Sequence, residues 1–478
     1  MPEAELTNIL AETKVKGYVI APAGFGKTQL IASAVKNSDG CQLILTHTFA
    51  GVNALKKKMK LLGVPGKNYR IETIASWSLR ICLAFPENSK WHIEQPEGNK
   101  EWAELYSKCS ALLTKQFVVR IIQASYKGVY VDEYQDCSIF QHDLVCSLAN
   151  IIPCRILGDP MQAIFDFAEE PVNWEQHIYP YFIKLGELTI PWRWKNAGAD
   201  KLGEWLIQQR ASIENNSGID ISKQLPPNVR ILEFDMDDYT HPERLKIFYD
   251  FAKIPDSVMV IYPGKPQFKN KTHLLSKTLS GIFSSIEEVE GVSLFSFIKK
   301  IMAGKQPAKH LKNTINFASS CMSHVNDVLS AGTKRYEISS ITKATKYPEL
   351  TDVANCYLND PSSENLKRFL LSLKENPETR LFRKDLFNRA IQVFNIHIQN
   401  PEVTIEDAAK LFQKKFRHSG RPTKHNKLIG TTLLVKGLEY DHAVIVDTDF
   451  LSPKELYVAL TRASKTLMIV TKNKVLLK

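Results

Sequence analysis

Two distant segments restrict what this 478-residue chain can fold into. Residues 21–28 read Ala-Pro-Ala-Gly-Phe-Gly-Lys-Thr and lie between a short apolar run and a helix-like stretch. Residues 131–136 read Val-Asp-Glu-Tyr-Gln-Asp and end another apolar, β-branched run. Segments so far apart meet where parallel strands end, because the carboxyl ends of such strands line one crevice. The pair therefore predicts an α/β fold built on a parallel sheet.

The first segment has the form of a phosphate-binding loop. Gly24 and Gly26 permit a tight turn, and a helix that begins after it points backbone N–H groups at an anion. In such a loop Lys27 reaches the β- and γ-phosphates, and Thr28 holds Mg²⁺. Ala21 stands where the pattern usually has its first glycine. The alternative is an ordinary strand–turn–helix with an exposed lysine, which the flanking strand and helix disfavour.

The second segment supplies two adjacent carboxylates at a strand end. Such a pair repels itself unless a cation lies nearby. With Mg²⁺ present, Asp132 can hold the metal through water while Glu133 polarises the attacking water. By itself the pair would suggest a solvated acidic turn or a helix cap. A phosphate loop upstream favours the catalytic interpretation.

Composition sets limits on the class of protein. The length predicts two or more domains, and no apolar stretch is long enough to cross a bilayer. The N-terminus lacks the pattern of a secretory signal, and the eight cysteines contain no Cys-x-x-Cys pair. We therefore expect a cytoplasmic protein without a membrane partner. The formal charge of +11 favours polyanionic partners.

Six further segments occur in an order that resembles the UvrD/Rep-type superfamily 1 helicases. They are Leu-Thr-His-Thr-Phe-Ala (45–50), Ile-Glu-Thr-Ile-Ala-Ser-Trp (71–77), Leu-Gly-Asp-Pro-Met-Gln-Ala-Ile-Phe (157–165), Leu-Thr-Ile-Pro-Trp-Arg (188–193), Lys-Gly-Leu-Glu-Tyr-Asp (436–441) and Leu-Tyr-Val-Ala-Leu-Thr-Arg-Ala (456–463). The acidic segment at 132–136 also matches the Asp-Glu-x-Gln-Asp form of that family. Eight motifs in the correct order make chance similarity negligible.

The resemblance implies an α/β protein with two RecA-like parallel-sheet lobes, reduced and mainly helical accessory insertions, and ATP with Mg²⁺ in the cleft. The expected domains are a first lobe at 1–80 and 128–190, a short helical insertion at 81–127, a second lobe at 191–300 and 425–478, and a reduced helical insertion at 301–424.

The resemblance also implies roles for individual residues. The nucleotide would be held by Ala23, Gly24, Phe25, Gly26, Lys27, Thr28, Trp192 on adenine and Glu439 on ribose. Thr28 and Asp132 would hold the metal. The catalytic set would be Glu133, Gln162 as γ-phosphate sensor, and Arg193 and Arg462 as arginine fingers. The DNA strand would contact His47, Trp77, Phe165 and Phe167.

The function implied is an ATP-dependent translocase or helicase that moves 3′ to 5′ on single-stranded or tailed DNA. Two departures keep an alternative open: Ala75 replaces a family histidine, and the apolar Leu433 and Leu434 stand where the family has strand-contacting His and Ser. The adenine-reading glutamine motif is not seen either, which leaves nucleotide selectivity to Trp192 or relaxes it. The alternative is a nucleotide-gated, DNA-sensing regulatory subunit of a nuclease complex with little unwinding. A small-molecule kinase would leave the C-terminal motifs unexplained.

The size of the chain is similar to that of small helicase subunits of the Gabija type, encoded beside a nuclease in bacterial defence and repair systems. This similarity suggests a nuclease partner that docks on the second insertion, where residues 364–374 and 383–394 show the i, i+3/i+4 spacing of amphipathic helices.

Overall fold

A computed structural model describes residues 2–164, 170–234, 241–288, 291–303, 306–419 (backbone only for 417–419) and 425–477. The first lobe is a six-stranded parallel sheet in the order β3-β2-β4-β5-β1-β6, flanked by helices. Its elements are α1 (Glu3–Glu12), β1 (Lys16–Ile20), α2 (Lys27–Asn37), β2 (Gln42–Thr46), α3 (Phe49–Leu61), β3 (Tyr69–Thr73), α4 (Ile74–Ala84), α5 (Pro86–Ser89), α6 (Gly98–Leu112), α7 (Gln116–Ser125), β4 (Gly128–Val131), α8 (Ile139–Ala149), β5 (Cys154–Gly158) and β6 (Ile183–Glu187).

The central strands explain how the motifs come together. Strands β2, β4 and β5 are buried at every position, as expected for parallel strands covered by helices on both faces. Strands β1, β4 and β5 each end in a motif: β1 runs into the phosphate loop, β4 into Asp132, and β5 into the turn that carries Gln162. Parallel pairing therefore places three motifs at one edge of the sheet.

The chain then crosses into a second lobe, leaves it for a helical insertion, and returns. The crossing and first part of the second lobe contain α9 (Trp192–Asn196), α10 (Asp200–Glu214), β7 (Ile219–Asp220), β8 (Val229–Leu232), α11 (Pro242–Lys253), β9 (Val258–Tyr262), α12 (Pro266–Thr278) and β10 (Ser284–Ser285). The insertion contains α13 (Val292–Met302), α14 (Pro307–Cys321), β11 (Met322–Ser323), α15 (Val325–Val328), α16 (Ala331–Arg335), α17 (Pro348–Asn359), α18 (Ser363–Glu375), β12 (Arg380–Leu381), α19 (Lys384–Gln399) and α20 (Ile405–Ser419). The returning chain forms β13 (Lys427–Thr431), α21 (Thr432–Val435), β14 (Tyr440–Ile445), α22 (Pro453–Leu460), β15 (Ala463–Val470) and β16 (Val475–Leu476).

The second lobe is also a six-stranded parallel sheet, in the order β10-β13-β9-β14-β15-β8. Strands β13, β14 and β15 come from the part of the chain beyond the insertion, so the sheet combines strands from both sides of the insertion. The prediction of two RecA-like parallel-sheet lobes with helical insertions is confirmed.

The two helical insertions differ in how they are packed. Helices α6 and α7 place Leu105, Leu112 and Ile122 in the same core as strands β2, β4 and β5, so they thicken the first lobe. Helices α13, α14 and α17–α20 instead share a core of their own. In α18 the buried residues Leu366, Phe369, Leu370 and Leu373 follow the predicted helical spacing. None of the helices in the described part of the chain is long and apolar enough to span a membrane.

Candidate active site

The loop between β1 and α2 is shaped to receive an anion. Gly24 and Gly26 have φ values of +81° and +89°, a backbone region that only glycine enters at little cost. Gly26 is the N-cap of α2, and no side chain among the described residues caps that end of the helix. The first backbone N–H groups of a helix lack partners within it, so those of α2 are available to a phosphate.

Lys27 joins the phosphate loop to the acidic segment at residues 131–136. Its Nζ lies 2.6 Å from Glu133 Oε2 and 3.2 Å from Asp132 Oδ1, although β5 separates β1 from β4 in the sheet. Burial opposes the charge on Lys27, but the two carboxylates outweigh it and raise its pKa. Burial likewise opposes the charge on Glu133, yet Lys27 lowers the pKa of this carboxyl to about 2. The segments meet as predicted.

The residues present fit a nucleotide with Mg²⁺. Asp132 is buried, and burial raises its pKa although Lys27 opposes the shift, so the site stabilises this carboxylate only with a cation beside it. Thr28 follows Lys27 in the first turn of α2 and is half-buried. Hydroxyl and carboxylate oxygens are ligands that Mg²⁺ prefers, together with phosphates. Thr28 and Asp132 would hold the metal and the uncapped loop would hold the phosphates.

Glu133 is held in a defined orientation. Its backbone has a φ of 55°, which is uncommon outside glycine and turns the chain sharply at the end of β4. Gln135 Nε2 donates a 2.6 Å hydrogen bond to Glu133 Oε2. An ionised carboxylate in a fixed orientation can orient a water molecule placed beside the phosphates, and it becomes a better proton acceptor once Lys27 moves away from it.

The second lobe contributes Arg462 to this edge of the first sheet. Arg462 is buried, and its Nη2 lies 3.4 Å from Gln162 Oε1. Its Nε also donates to Val458 O at 2.9 Å. Burial, with Arg193 nearby, lowers the pKa of Arg462 to about 9, so the guanidinium remains cationic at neutral pH. The predicted sensor and the predicted arginine finger are therefore in contact across the lobes.

Arg193 lies between the phosphate loop and the second lobe. Its backbone N donates to Gly24 O at 2.9 Å. Its side chain donates to Thr461 O at 2.5 Å and lies 2.9 Å from Glu439 Oε2. Glu439 itself is half-exposed. Both predicted fingers thus reach the site, and Arg193 is paired with the residue predicted to bind ribose.

Trp192 covers the start of α2. A Cβ atom placed on Gly26 would lie 3.2 Å from Trp192 Cδ1, so the indole packs against the loop. Trp192 Nε1 donates a 2.6 Å hydrogen bond to Glu3 Oε1 at the start of α1. No pattern in the sequence assigns Glu3 a role, because no local spacing connects it with Trp192, 189 residues away.

The residues predicted to contact DNA have different outcomes. His47 is half-buried with Nε2 3.5 Å from Cys137 Sγ. Burial lowers the pKa of His47 to about 4 despite the opposing effect of Glu133, so it is neutral at physiological pH. Trp77 is fully buried in the core of the first lobe; its predicted contact with DNA is wrong for this conformation, because no face of the ring is open to a base. Phe165 and Phe167 lie outside the described residues.

Lys436 is a site residue to which the sequence analysis gave no role. It lies in the second lobe, and its Nζ donates to Asp136 Oδ1 and, at 2.5 Å, to Gln162 O. Burial lowers the pKa of Lys436 and raises that of Asp136 to about 6 although Lys436 opposes this shift. Both residues stand in motifs of the sequence, and that placement was the available signal.

The two parallel-sheet lobes meet at a phosphate loop, with Arg462 of one lobe beside Gln162 of the other, and this arrangement can receive a nucleotide. Residues 87–172, which carry Asp132, Glu133 and Gln162, match the family model of the UvrD/REP helicase N-terminal domain. This match confirms the resemblance to UvrD/Rep-type helicases. No curated protein matches the chain at a significant level.

Several solved helicase structures are similar to the chain at low sequence identity. Arterivirus nonstructural protein 10, a helicase solved with DNA, has 11% identity and a TM-score of 0.34 over 98% of this chain and 62% of that one. The PRRSV helicase has 10% identity and a TM-score of 0.33 over 98% and 54%. The Pif1 helicase from Candida albicans has 11% identity and a TM-score of 0.39 over 99% and 95%. The chain thus spans only part of the length of the two viral proteins.

Proposed function

We propose that this protein is an ATP-dependent translocase or helicase that acts on single-stranded or tailed DNA and moves 3′ to 5′. The observation that carries the proposal is the set of contacts across the cleft. Arg462 and Lys436 of the second lobe reach Gln162 and Asp136 of the first. These residues would surround the γ-phosphate. The presence or absence of that phosphate would therefore change the stability of the contacts between the two lobes.

The residues divide the chemistry among them. Bound ATP would supply the phosphoryl group, and Mg²⁺, which Thr28 and Asp132 would hold, would neutralise phosphate charge. Lys27 leaves its carboxylate partners to bind the β- and γ-phosphates. Glu133 orients the attacking water and accepts its proton. Arg193 and Arg462 stabilise the charge that develops as the phosphoryl group leaves.

Hydrolysis would be converted to movement because the cations are divided between the lobes. Lys27 belongs to the first lobe, whereas Arg462 approaches from the second. Once the γ-phosphate has left, Arg462 loses an anionic partner, and the closed arrangement of the lobes becomes less stable. A DNA strand held by both lobes would then be advanced by alternating grip. We assign Phe165, Phe167 and the neutral His47 to that strand.

A second candidate function is a nucleotide-gated DNA sensor that regulates a nuclease. Two observations favour it: Leu433 and Leu434 stand where related helicases contact the strand through polar residues, and Trp77 is buried. The insertion helices α13, α14 and α17–α20, with a core of their own, offer a surface for such a partner. A Gabija-type cytoplasmic defence or repair complex would fit this version.

Stimulation of ATP turnover by single-stranded DNA tests the proposal. We expect turnover to rise when DNA is added, because strand binding by both lobes favours the closed arrangement. Backbone phosphates bound by lysine and arginine release counterions, so the DNA concentration for half-maximal stimulation should rise by about 300-fold between 50 and 200 mM salt if about six phosphates of a single strand are contacted.

The control for this experiment is strand displacement on duplexes with 3′ or 5′ tails. Displacement of the 3′-tailed duplex supports a helicase with the proposed polarity. Stimulated turnover without displacement of either substrate favours the sensor. Turnover that is indifferent to DNA contradicts the motor assignment.

The position of Trp192 leads to a prediction about nucleotide affinity. Base–aromatic stacking contributes about 1–3 kcal/mol, so Trp192→Ala should raise the KM for ATP by about tenfold or more and change kcat less. Glu3→Gln should raise the KM by a smaller factor, since it weakens the hydrogen bond that holds the indole. Glu5→Gln, on the exposed face of the same helix, is the matched control. Equal KM values for the Glu3 and Glu5 variants would contradict the role of Glu3.

A further inference from the structure

A second-lobe arginine outside every quoted motif enters the site. Arg210 lies on α10, which packs against α22 of the second lobe. Its Nη1 lies 2.7 Å from Asp159 Oδ1, at the end of β5 in the first lobe. The side chain of Arg210 is largely buried and that of Asp159 fully so. Arg210 also donates to the hydroxyl of Tyr457 at 2.8 Å, and its Nη2 is 3.1 Å from the more exposed Glu214.

Asp159 connects Arg210 with the predicted γ-phosphate sensor. One carboxylate oxygen, Oδ1, accepts from Arg210 and from Met161 N. The other, Oδ2, accepts a 3.0 Å hydrogen bond from Gln162 Nε2. The backbone N of Asp159 donates to Gln135 Oε1 at 3.0 Å, and Gln135 in turn holds Glu133. Asp159 is therefore the junction between Arg210, the sensor and the proposed general base.

The partners of Gln162 leave its amide one orientation. An ionised carboxylate can only accept hydrogen bonds, and a guanidinium can only donate them. The NH₂ group of Gln162 must therefore face Asp159, and its oxygen must face Arg462. A rotated amide would place its oxygen against the carboxylate and its NH₂ group against the guanidinium, and both contacts would be repulsive.

We propose that Arg210 is a positioning residue for the γ-phosphate sensor: it holds the carboxylate of Asp159 in place, and Asp159 in turn fixes the amide of Gln162. This inference rests on the proposed ATPase function. Arg210 and Tyr457 belong to the second lobe, and α22, which carries Tyr457, leads directly into Arg462. The amide of Gln162 is consequently aligned only while the two lobes are together. Its alignment therefore depends on the same closure of the lobes that brings in Arg462.

The test compares three variants of the full chain by steady-state ATP turnover with saturating single-stranded DNA. Arg210→Met keeps the aliphatic packing but removes the charge, and should lower kcat by about a hundredfold, the cost of misplacing a catalytic group, while the KM for ATP stays near that of the wild type. Arg210→Lys restores a donor for Asp159 and should recover most of the turnover. Glu214→Gln removes the more exposed carboxylate partner of Arg210 and should behave like the wild type.

A double-mutant cycle separates positioning from simple stability. Asp159→Asn still accepts from Gln162 but needs no cation, so Arg210→Met should cost much less in that background. Thermal denaturation of each variant reports the fold. Wild-type kcat in Arg210→Met, a parallel loss of kcat and nucleotide affinity, or equal costs in both backgrounds would overturn the inference. A wild-type protein without ATP turnover would instead refute the proposed function.

Discussion

Replacement of Lys27 by alanine should abolish ATP turnover. Lys27 is the cation at the start of α2 and its Nζ lies within 3.2 Å of both active-site carboxylates. Without it the β- and γ-phosphates lose their lysine contact, and the carboxylates lose the charge that offsets their burial. Loss of one preorganised charge at a reacting centre typically lowers kcat by about a hundredfold to a thousandfold. Steady-state hydrolysis with saturating DNA measures the effect.

The matched control for this variant is Lys36→Ala. Lys36 lies on the same helix, at its exposed C-terminal end, so it reports the cost of removing a lysine from α2 without touching the loop. We expect turnover near the wild-type value for Lys36→Ala and a cooperative thermal transition for both variants. Substantial hydrolysis by a folded Lys27→Ala protein would disprove the assignment of residues 21–28 as the phosphate loop.

Replacement of Arg462 by alanine should have the second large effect. Arginine fingers contribute about 10³–10⁵ in kcat in related phosphoryl-transfer enzymes, and Arg462 is the buried guanidinium next to Gln162. Nucleotide affinity should change little, because the phosphate loop and Trp192 are untouched. Turnover measured beside the binding of a fluorescent ATP analogue separates the two quantities.

Arg462 also has structural contacts, which the controls must take into account. Its guanidinium donates to Val458 O and Leu438 O, so the alanine variant should melt at a lower temperature. Arg462→Lys keeps the positive charge but not the fork of donors, and should be impaired less in stability than in turnover. Lys454→Ala, an exposed change on α22, should affect neither. Unchanged turnover in Arg462→Ala would remove the residue from the catalytic set.

Most of the site followed from sequence because its motifs lie at strand ends. The contact of Arg462 with Gln162 joins two sheets, and strand order within one sheet does not account for it. The contact of Lys27 with Asp132 and Glu133 required only the correct strands to be identified and a parallel sheet to be assumed. The reason is general: in a parallel sheet all carboxyl ends share one edge, so residues that follow the strands become neighbours however far apart they are in the chain.

Trp77 shows where the motif-based argument failed. It was assigned to the DNA strand from its place in a family segment, yet it lies on the buried face of α4 with Ile74 and Ile81. The spacing of these three residues is that of one helix face, so helical periodicity could have predicted its burial. A position in a motif does not say which way a side chain points.

The sequence alone predicted a phosphate loop, an acidic pair beside it and two parallel-sheet lobes, because these depend on residue type, on near neighbours and on strand periodicity. Only the tertiary structure decided that Glu3 holds Trp192 and that Arg210 holds Asp159. Those pairs stand 189 and 51 residues apart and carry no local pattern. Which buried charges become partners depends on how the lobes and helices pack, since burial makes each charge stable only beside the groups that the fold brings to it.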